Sequence, residues 1–228
     1  MAITALTPTA RITRYIGLST DTKPTAASHP NQPSPVVGST FWEYDTDQLW
    51  VTYDATNWSR KDTIFKGVLK KVSVTKALVG GAYSAEDILS ESTTEGTFWT
   101  FSAIARADGA SGYIVRAQAI CETTNITPRL TLFLFNATPT CAKNDNVANT
   151  ALLHADLANY VGRIDFPALE DLGGDSMALC TPGTTGNLPL AFTCASGADD
   201  LYGVLVTRDA VTPSAGDDMT IILQIEQY

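Results

Sequence analysis

The chain has 228 residues, 44% of them hydrophobic, which is enough apolar material for one large core with a smaller appendage and argues against a chain disordered throughout. Only 17% of residues are charged and the net charge is −9, with the few basic residues dispersed, so the counterion displacement that drives binding to a phosphate backbone is missing and nucleic acid is not an expected partner. No apolar run approaches the ~20 residues that span a bilayer, and the N-terminal MAITALTPTARITRY lacks a secretory apolar segment, which points to synthesis in a cytoplasm and no membrane role.

Residues 1–38 hold Pro8, Pro24, Pro30, Pro33 and Pro35 among Thr, Ser, Asn and Ala, with no period of 2 or 3.6, and read as an extended arm. Its most apolar piece, RYIGLST at 14–20 with Tyr15 and Ile16, reads either as a short strand added to another sheet or as a loosely ordered tail. Residues 39–61 follow as an aromatic β-hairpin. Thr40 to Tyr44 and Gln48 to Tyr53 flank the turn-like Asp45-Thr46-Asp47, and three of the four tryptophans, Trp42, Trp50 and Trp58, fall in this stretch. A two-stranded hairpin is marginal in water, so these rings require a third strand, another domain or another chain. The basic group Arg60-Lys61 with Lys66, Lys70 and Lys71 reads as the solubilising charge of a strand.

From residue 62 to 228 the texture is strand after strand, separated by clusters of Gly, Asn, Asp and Thr. Strands are predicted near 63–76, 97–107, 111–122, 129–136, 159–166, 189–194, 201–208 and 218–227. In the last, Met219, Ile221, Leu223 and Ile225 share one face of a half-buried strand. In RLTLFLFN, Leu130, Leu132 and Leu134 alternate with Thr131, Phe133 and Phe135, so both faces are apolar and both must be covered, either by the connection 137–158 or by a neighbouring subunit. Short helical turns are expected at 149–157, capped by Asn149 or Thr150, and at 168–172. The chain is thus expected to be all-β: an N-terminal extended arm and β-hairpin followed by an antiparallel β-sandwich of jelly-roll type.

Catalytic material is scarce. His29 and His154 supply too little imidazole for a base or a multi-histidine metal site, and Gly174-Asp175-Ser176-Met177 is a glycine turn entering the strand SMALC, because no histidine follows Ser176. Neither phosphate-loop nor HExxH spacing occurs. The pairs Asp45/Asp47, Asp199/Asp200 and Asp217/Asp218 read as solvated turns, without EF-hand spacing. Cys121, Cys141, Cys180 and Cys194 are widely spaced, with no CxxC, and read as reduced, buried apolar residues. The sequons at Asn57, Asn125 and Asn136 read as chance matches in a Thr-rich chain. No catalytic residue, cofactor or metal is expected.

The segments RYIGLSTDTKPT and VVGSTFWEYDTDQLWVTYDATNW resemble a module of tailed-bacteriophage virion proteins, with a GS-x-[FY]-x-E-x-D-T turn and an L-[WY]-[VI]-x-Y-[DN]-x-x-x-W return strand. Gly38, Asp45, Thr46, Leu49, Trp50, Tyr53, Asp54 and Trp58 fit those places, while Ala55 stands where glycine is usual. LTLFLFNATPT, Asp145-Asn146, YVGRIDF and LYGVLVTRDAVTP resemble other phage structural proteins, so that the two likenesses together span about residues 14–228. They imply a virion protein made in a bacterial host: a capsid decoration or head-associated protein on the major capsid protein shell, working as a homo-oligomer, with a trimer favoured. The alternatives are a tail-fibre or receptor-binding module whose Trp and Tyr stack on host-surface carbohydrate, and a hydrolase carried on a sandwich. The residues expected at protein interfaces are Tyr15, Ile16, Trp42, Trp50, Trp58, Phe133 and Phe135.

Overall fold

The computed structural model describes residues 12–25, 32–61, 68–124, 126–183 and 187–227. Pro8, His29, Pro30, Asn125 and the start of the strand expected at 63–76 lie outside them. The chain forms two compact units, Met1–Lys66 and Gly67–Tyr228.

The small unit is a sheet of four short strands in the order β1 (Arg14–Gly17), β2 (Thr40–Glu43), β3 (Gln48–Thr52) and β4 (Trp58–Lys61). RYIG does add as a strand, but to its own hairpin: β1 runs parallel to β2, with Tyr15 beside Phe41 and Ile16 beside Trp42. Parallel pairing needs a long crossover, and the proline-containing arm supplies it. The turn into β4 is closed by Asp54, whose carboxylate accepts the backbone N–H groups of Thr56 (2.9 Å) and Asn57 (2.6 Å). Bonds from the Asn57 backbone and side chain hold Asp54 down to about 2. Ala55 takes the left-handed conformation there (φ 63°), so the turn keeps the shape of a glycine turn without the glycine.

The large unit is an all-β sandwich. One sheet contains β5 (Val68–Ala77), β7 (Ser111–Cys121), β10 (Glu170–Asp171), β11 (Ser176–Cys180), β12 (Leu190–Thr193) and β14 (Asp218–Gln227), in the order β10-β11-β7-β14-β5 with β12 also on β7. The other contains β6 (Trp99–Phe101), β8 (Leu130–Phe135), β9 (Tyr160–Phe166) and β13 (Leu201–Thr207), in the order β6-β13-β8-β9. All pairs are antiparallel. The outermost strands in sequence, β5 and β14, pair; inside them β6 pairs β13, β7 pairs β11 and β8 pairs β9. This nesting is that of one long antiparallel ribbon rolled over on itself. Alternation aims Ile114, Ala117, Met219, Ile221, Leu223 and Ile225 from one sheet at Trp99, Leu132, Leu134, Ile164 and Leu205 from the other, all buried in one core.

Three local expectations are corrected. The strand expected at 97–107 closes at Phe101, because Ala103 turns at φ 52° with its N–H held by Asp200 (3.0 Å). The helix expected at 149–157 is displaced to a 3₁₀ turn, His154–Asn159, because the Asn149 side chain folds back on Ala151 instead of capping. The turn expected at 168–172 contains the short strand β10, drawn into the sheet by β11.

Phe133 and Phe135 are also corrected as interface residues. They lie in a second cluster with Ile88, Cys141, Val204 and Val206, and Ala142, Ala151 and Leu152 of the connection after β8 pack over them. The neighbour covering this face is therefore the same chain. All four cysteines are free and buried, and burial pushes each thiol up to about 11. We expect the melting temperature to be unchanged by added thiol and the folded protein to resist alkylation; a drop of several degrees with reductant would contradict this.

Candidate interaction surface

Cross-strand register divides the small sheet into two faces of opposite character. On one lie Tyr15, Phe41, Trp50 and Trp58. Tyr15 and Phe41 meet Trp58 edge-on at 5.9 Å and 6.2 Å, and the Tyr15 hydroxyl donates to the Pro33 carbonyl. The arm closes over this face: the Trp58 indole N–H donates to the Pro24 carbonyl (2.8 Å), and Lys23 places its ammonium 4.0 Å from the centre of the Trp50 ring. Lys23 also pairs with the buried Glu43 at 2.6 Å. The Lys23 bond, with a further bond from the Thr46 hydroxyl (2.7 Å), holds the Glu43 carboxyl below its ordinary range despite burial.

A carboxylate depressed in the folded state stabilises it above the ordinary value of 4.5, and the contribution is lost as pH falls through the depressed value. Amide protection factors in β1 to β4, corrected for the intrinsic pH dependence of exchange, are therefore expected to fall as pH drops below the ordinary value of 4.5, and Glu43→Gln to weaken that dependence at the cost of lower protection near neutrality. A wild-type profile flat in acid would refute the role of the pair.

The opposite face carries Arg14, Ile16, Thr40, Trp42, Leu49, Val51, Ser59 and Lys61. Ile16, Trp42, Leu49 and Lys61 stand in one cross-strand row. Ile16 is 71% exposed, with Ile12 (57%) and Val37 (50%) also open, while Trp42 and Leu49 are half-buried. The apolar row thus lies on the open side of a sheet whose other side is closed by the chain's own arm. The ionisable residues of the open face, Arg14 and Lys61, are both basic.

The expected interface set therefore separates. Ile16 and Trp42 stand on the open face, whereas Tyr15, Trp50 and Trp58 fasten the arm to the sheet. Leu49, Ile12 and Val37 were missed; the alternation of Leu49 with Trp50 and Val51 was the available signal for the first. Of the aspartate pairs, Asp217 closes a turn by accepting the Ser214 N–H (2.8 Å), whereas Asp45 accepts the backbone and hydroxyl of Ser19 (2.8 and 2.6 Å) and Asp200 the Ala103 N–H, bonds that join segments distant in sequence. Among the described residues no three acidic, histidine or cysteine side chains gather as a metal site, and no helix is long and apolar enough to cross a membrane.

No family model matches the chain, and no curated protein does. Among solved structures, a chain of the full particle of Israeli acute paralysis virus heated to 63 degrees is similar over 100% of this chain and 79% of that one, at 15% identity and a TM-score of 0.23. A chain of a marine algae virus of the order Picornavirales is similar over 99% and 90%, at 11% identity and a TM-score of 0.22. Likeness at these values carries no argument about role.

Proposed function

We propose that the chain is a non-enzymatic virion structural protein of the decoration type, that its rolled ribbon is a jelly roll, and that the small sheet attaches it to a shell of major capsid protein. The observation that carries the attachment is the open Ile16–Trp42–Leu49 row, with Lys61 at its end and Arg14 on the same face, on a sheet whose other face is already filled by Lys23, Pro24 and four aromatic rings. The virion class draws its support from the resemblance of residues 14–61 and of the later strands to phage structural proteins. The basic flanks disfavour stacking of two such faces and suit an acidic, apolar surface on another protein.

Burying an isoleucine side chain contributes roughly 1.5–3 kcal/mol. Ile16→Glu in the full chain is therefore expected to keep its circular dichroism and to weaken co-sedimentation with undecorated particles by about 10- to 100-fold. Binding undiminished by this substitution would remove the face from the proposal. The exposed Tyr44 (58%) and Tyr53 (67%) support the carbohydrate-binding alternative, which a positive glycan array with the isolated protein would favour.

A further inference from the structure

The large unit contains nine basic and eighteen acidic residues, whereas the chain up to Lys66 has six of each, so the net charge of −9 resides in the sandwich. On the outward face of its larger sheet, Lys71, Gln224 and Arg116 form one cross-strand row, and together with Gln118 and Ile222 they line a shallow cavity of about 220 Å³. Neither cation has a hydrogen-bonding or ion-pair partner among the described residues, whereas Lys76, Arg129, Arg163 and Arg208 pair with Glu91, Asp209, Asp165 and Glu86, Lys70 bonds the Ala103 carbonyl and Lys143 lies over the Phe98 ring. The Nε of Arg116 is shielded from solvent and unpaired, a state that costs free energy until an acceptor arrives.

The complementary shape stands at the far edge of the same sheet. Between β10 and β11 the chain turns through Leu172, Gly173 and Gly174, and the turn is closed by Leu172 N–H to the Asp175 carbonyl (2.9 Å) and Gly173 N–H to the Asp171 carboxylate (2.7 Å). Leu172 projects at 58% exposure, surrounded by the exposed Glu170, Asp171 and Asp175, none of which has a cationic partner among the described residues. Here an exposed apolar residue on a turn with three exposed carboxylates, and a cavity lined by Ile222 and two unpaired cations, occur on one molecule.

We propose that the Glu170–Asp175 turn of one copy docks in the Lys71/Arg116 cavity of the next, making a head-to-tail contact between copies of this chain. The occupant is a second copy because the cavity requires carboxylates beside an apolar group, and this chain presents that combination on an exposed turn. Such a contact is heterologous, so it closes into a ring when its rotation permits and otherwise runs on as a filament. It is independent of the attachment face on the small sheet.

The test is the oligomeric state of the full chain by light scattering after size exclusion. Wild type is expected to self-associate at micromolar concentration, while Lys71→Glu/Arg116→Glu and, separately, Glu170→Lys/Asp171→Lys are expected to be monomeric with unchanged circular dichroism. Mixing the two variants sets the intact turn of one against the intact cavity of the other and the reversed turn against the reversed cavity, so it is expected to restore assembly with the two kinds of copy alternating, and combining all four substitutions in one chain is expected to restore it likewise. Arg116→Gln, which removes charge without adding the opposite one, is expected to shift the association midpoint at least tenfold. A monomeric wild type, variants that assemble normally, or a mixture that fails to pair would each overturn the proposal, and a cavity variant that loses only particle binding would assign the cavity to a different partner.

Discussion

Replacing Lys76 with alanine is expected to lower the stability of the large unit by about 3 kcal/mol. Lys76 points from β5 into the sandwich at 7% exposure, where its ammonium pairs with Glu91 at 2.5 Å, bonds the Thr97 hydroxyl (3.0 Å), and lies 5.4 Å from the centre of the Trp99 ring. Removing one partner of a fully buried pair costs about 3–5 kcal/mol, because the other charge is left uncompensated. Glu91 retains 30% exposure of its side chain, so water recovers part of that penalty and the low end applies. Lys76→Met combined with Glu91→Gln is expected to recover more than half of the loss, since the carboxamide still accepts the Thr97 N–H and no charge is stranded. Burial opposes the Glu91 charge, but bonds from Lys76, Thr97 and Ser90 hold its carboxyl down to about 2. That contribution is full above the ordinary glutamate value and is lost as pH falls toward 2, so Lys76→Ala should also flatten the acid limb of stability. The nearby Asp145 runs the other way: burial pushes its carboxyl up against bonds from Tyr83 and Ser90. Urea unfolding followed by amide exchange in β14 measures these effects. A loss under about 1 kcal/mol in the alanine variant would show the pair to be energetically idle.

How far such features were readable depends on whether the determinant is local. The alternation in DMTIILQIEQY gave the buried face of β14, where Met219, Ile221, Leu223 and Ile225 are all fully enclosed. The two-sided apolar pattern of β8 likewise announced a strand covered on both faces, and only the identity of the cover was open. Lys76 was invisible, since a lysine inside an alternating strand has no local signature and becomes intelligible only when Glu91 and Thr97 arrive from a later loop. The division of the tryptophans between two faces turned on a single residue of register. A turn confined to Asp45-Thr46-Asp47 would set Tyr44 opposite Gln48 and Trp42 opposite Trp50. The turn also takes in Tyr44, so Glu43 pairs with Gln48, Trp42 with Leu49 and Phe41 with Trp50. One residue in the turn moves a whole side-chain set to the other face. The candidate docking row was therefore half legible: its residues were named, but its separation from the packed face required the pairing.

The same register makes Phe41, rather than any tryptophan, the centre of the small sheet, and Phe41→Ala is expected to unfold that unit alone. The ring is 3% exposed, meets Trp58 at 6.2 Å, and lies 5.3 Å from the Lys23 ammonium. It occupies the space above Gly17, where an added Cβ would fall 2.7 Å from the ring's Cζ, so β1 can approach β2 only because that position lacks a side chain. Truncating a buried phenylalanine costs about 3–5 kcal/mol. A core as small as this one rarely supplies more than ~3–5 kcal/mol in total, so the loss is comparable to everything that holds the sheet. Amide protection is expected to vanish across β1 to β4 while β7 and β14, whose core lies within the sandwich, stay protected. If the small sheet is the attachment element, the variant will also fail to bind particles, although Ile16 and Trp42 are untouched, because the row that presents them exists only while β1 and β2 are paired. Persistence of protected amides in β2 and β3 after the substitution would show that Lys23, Trp50 and Trp58 hold the sheet without the central ring.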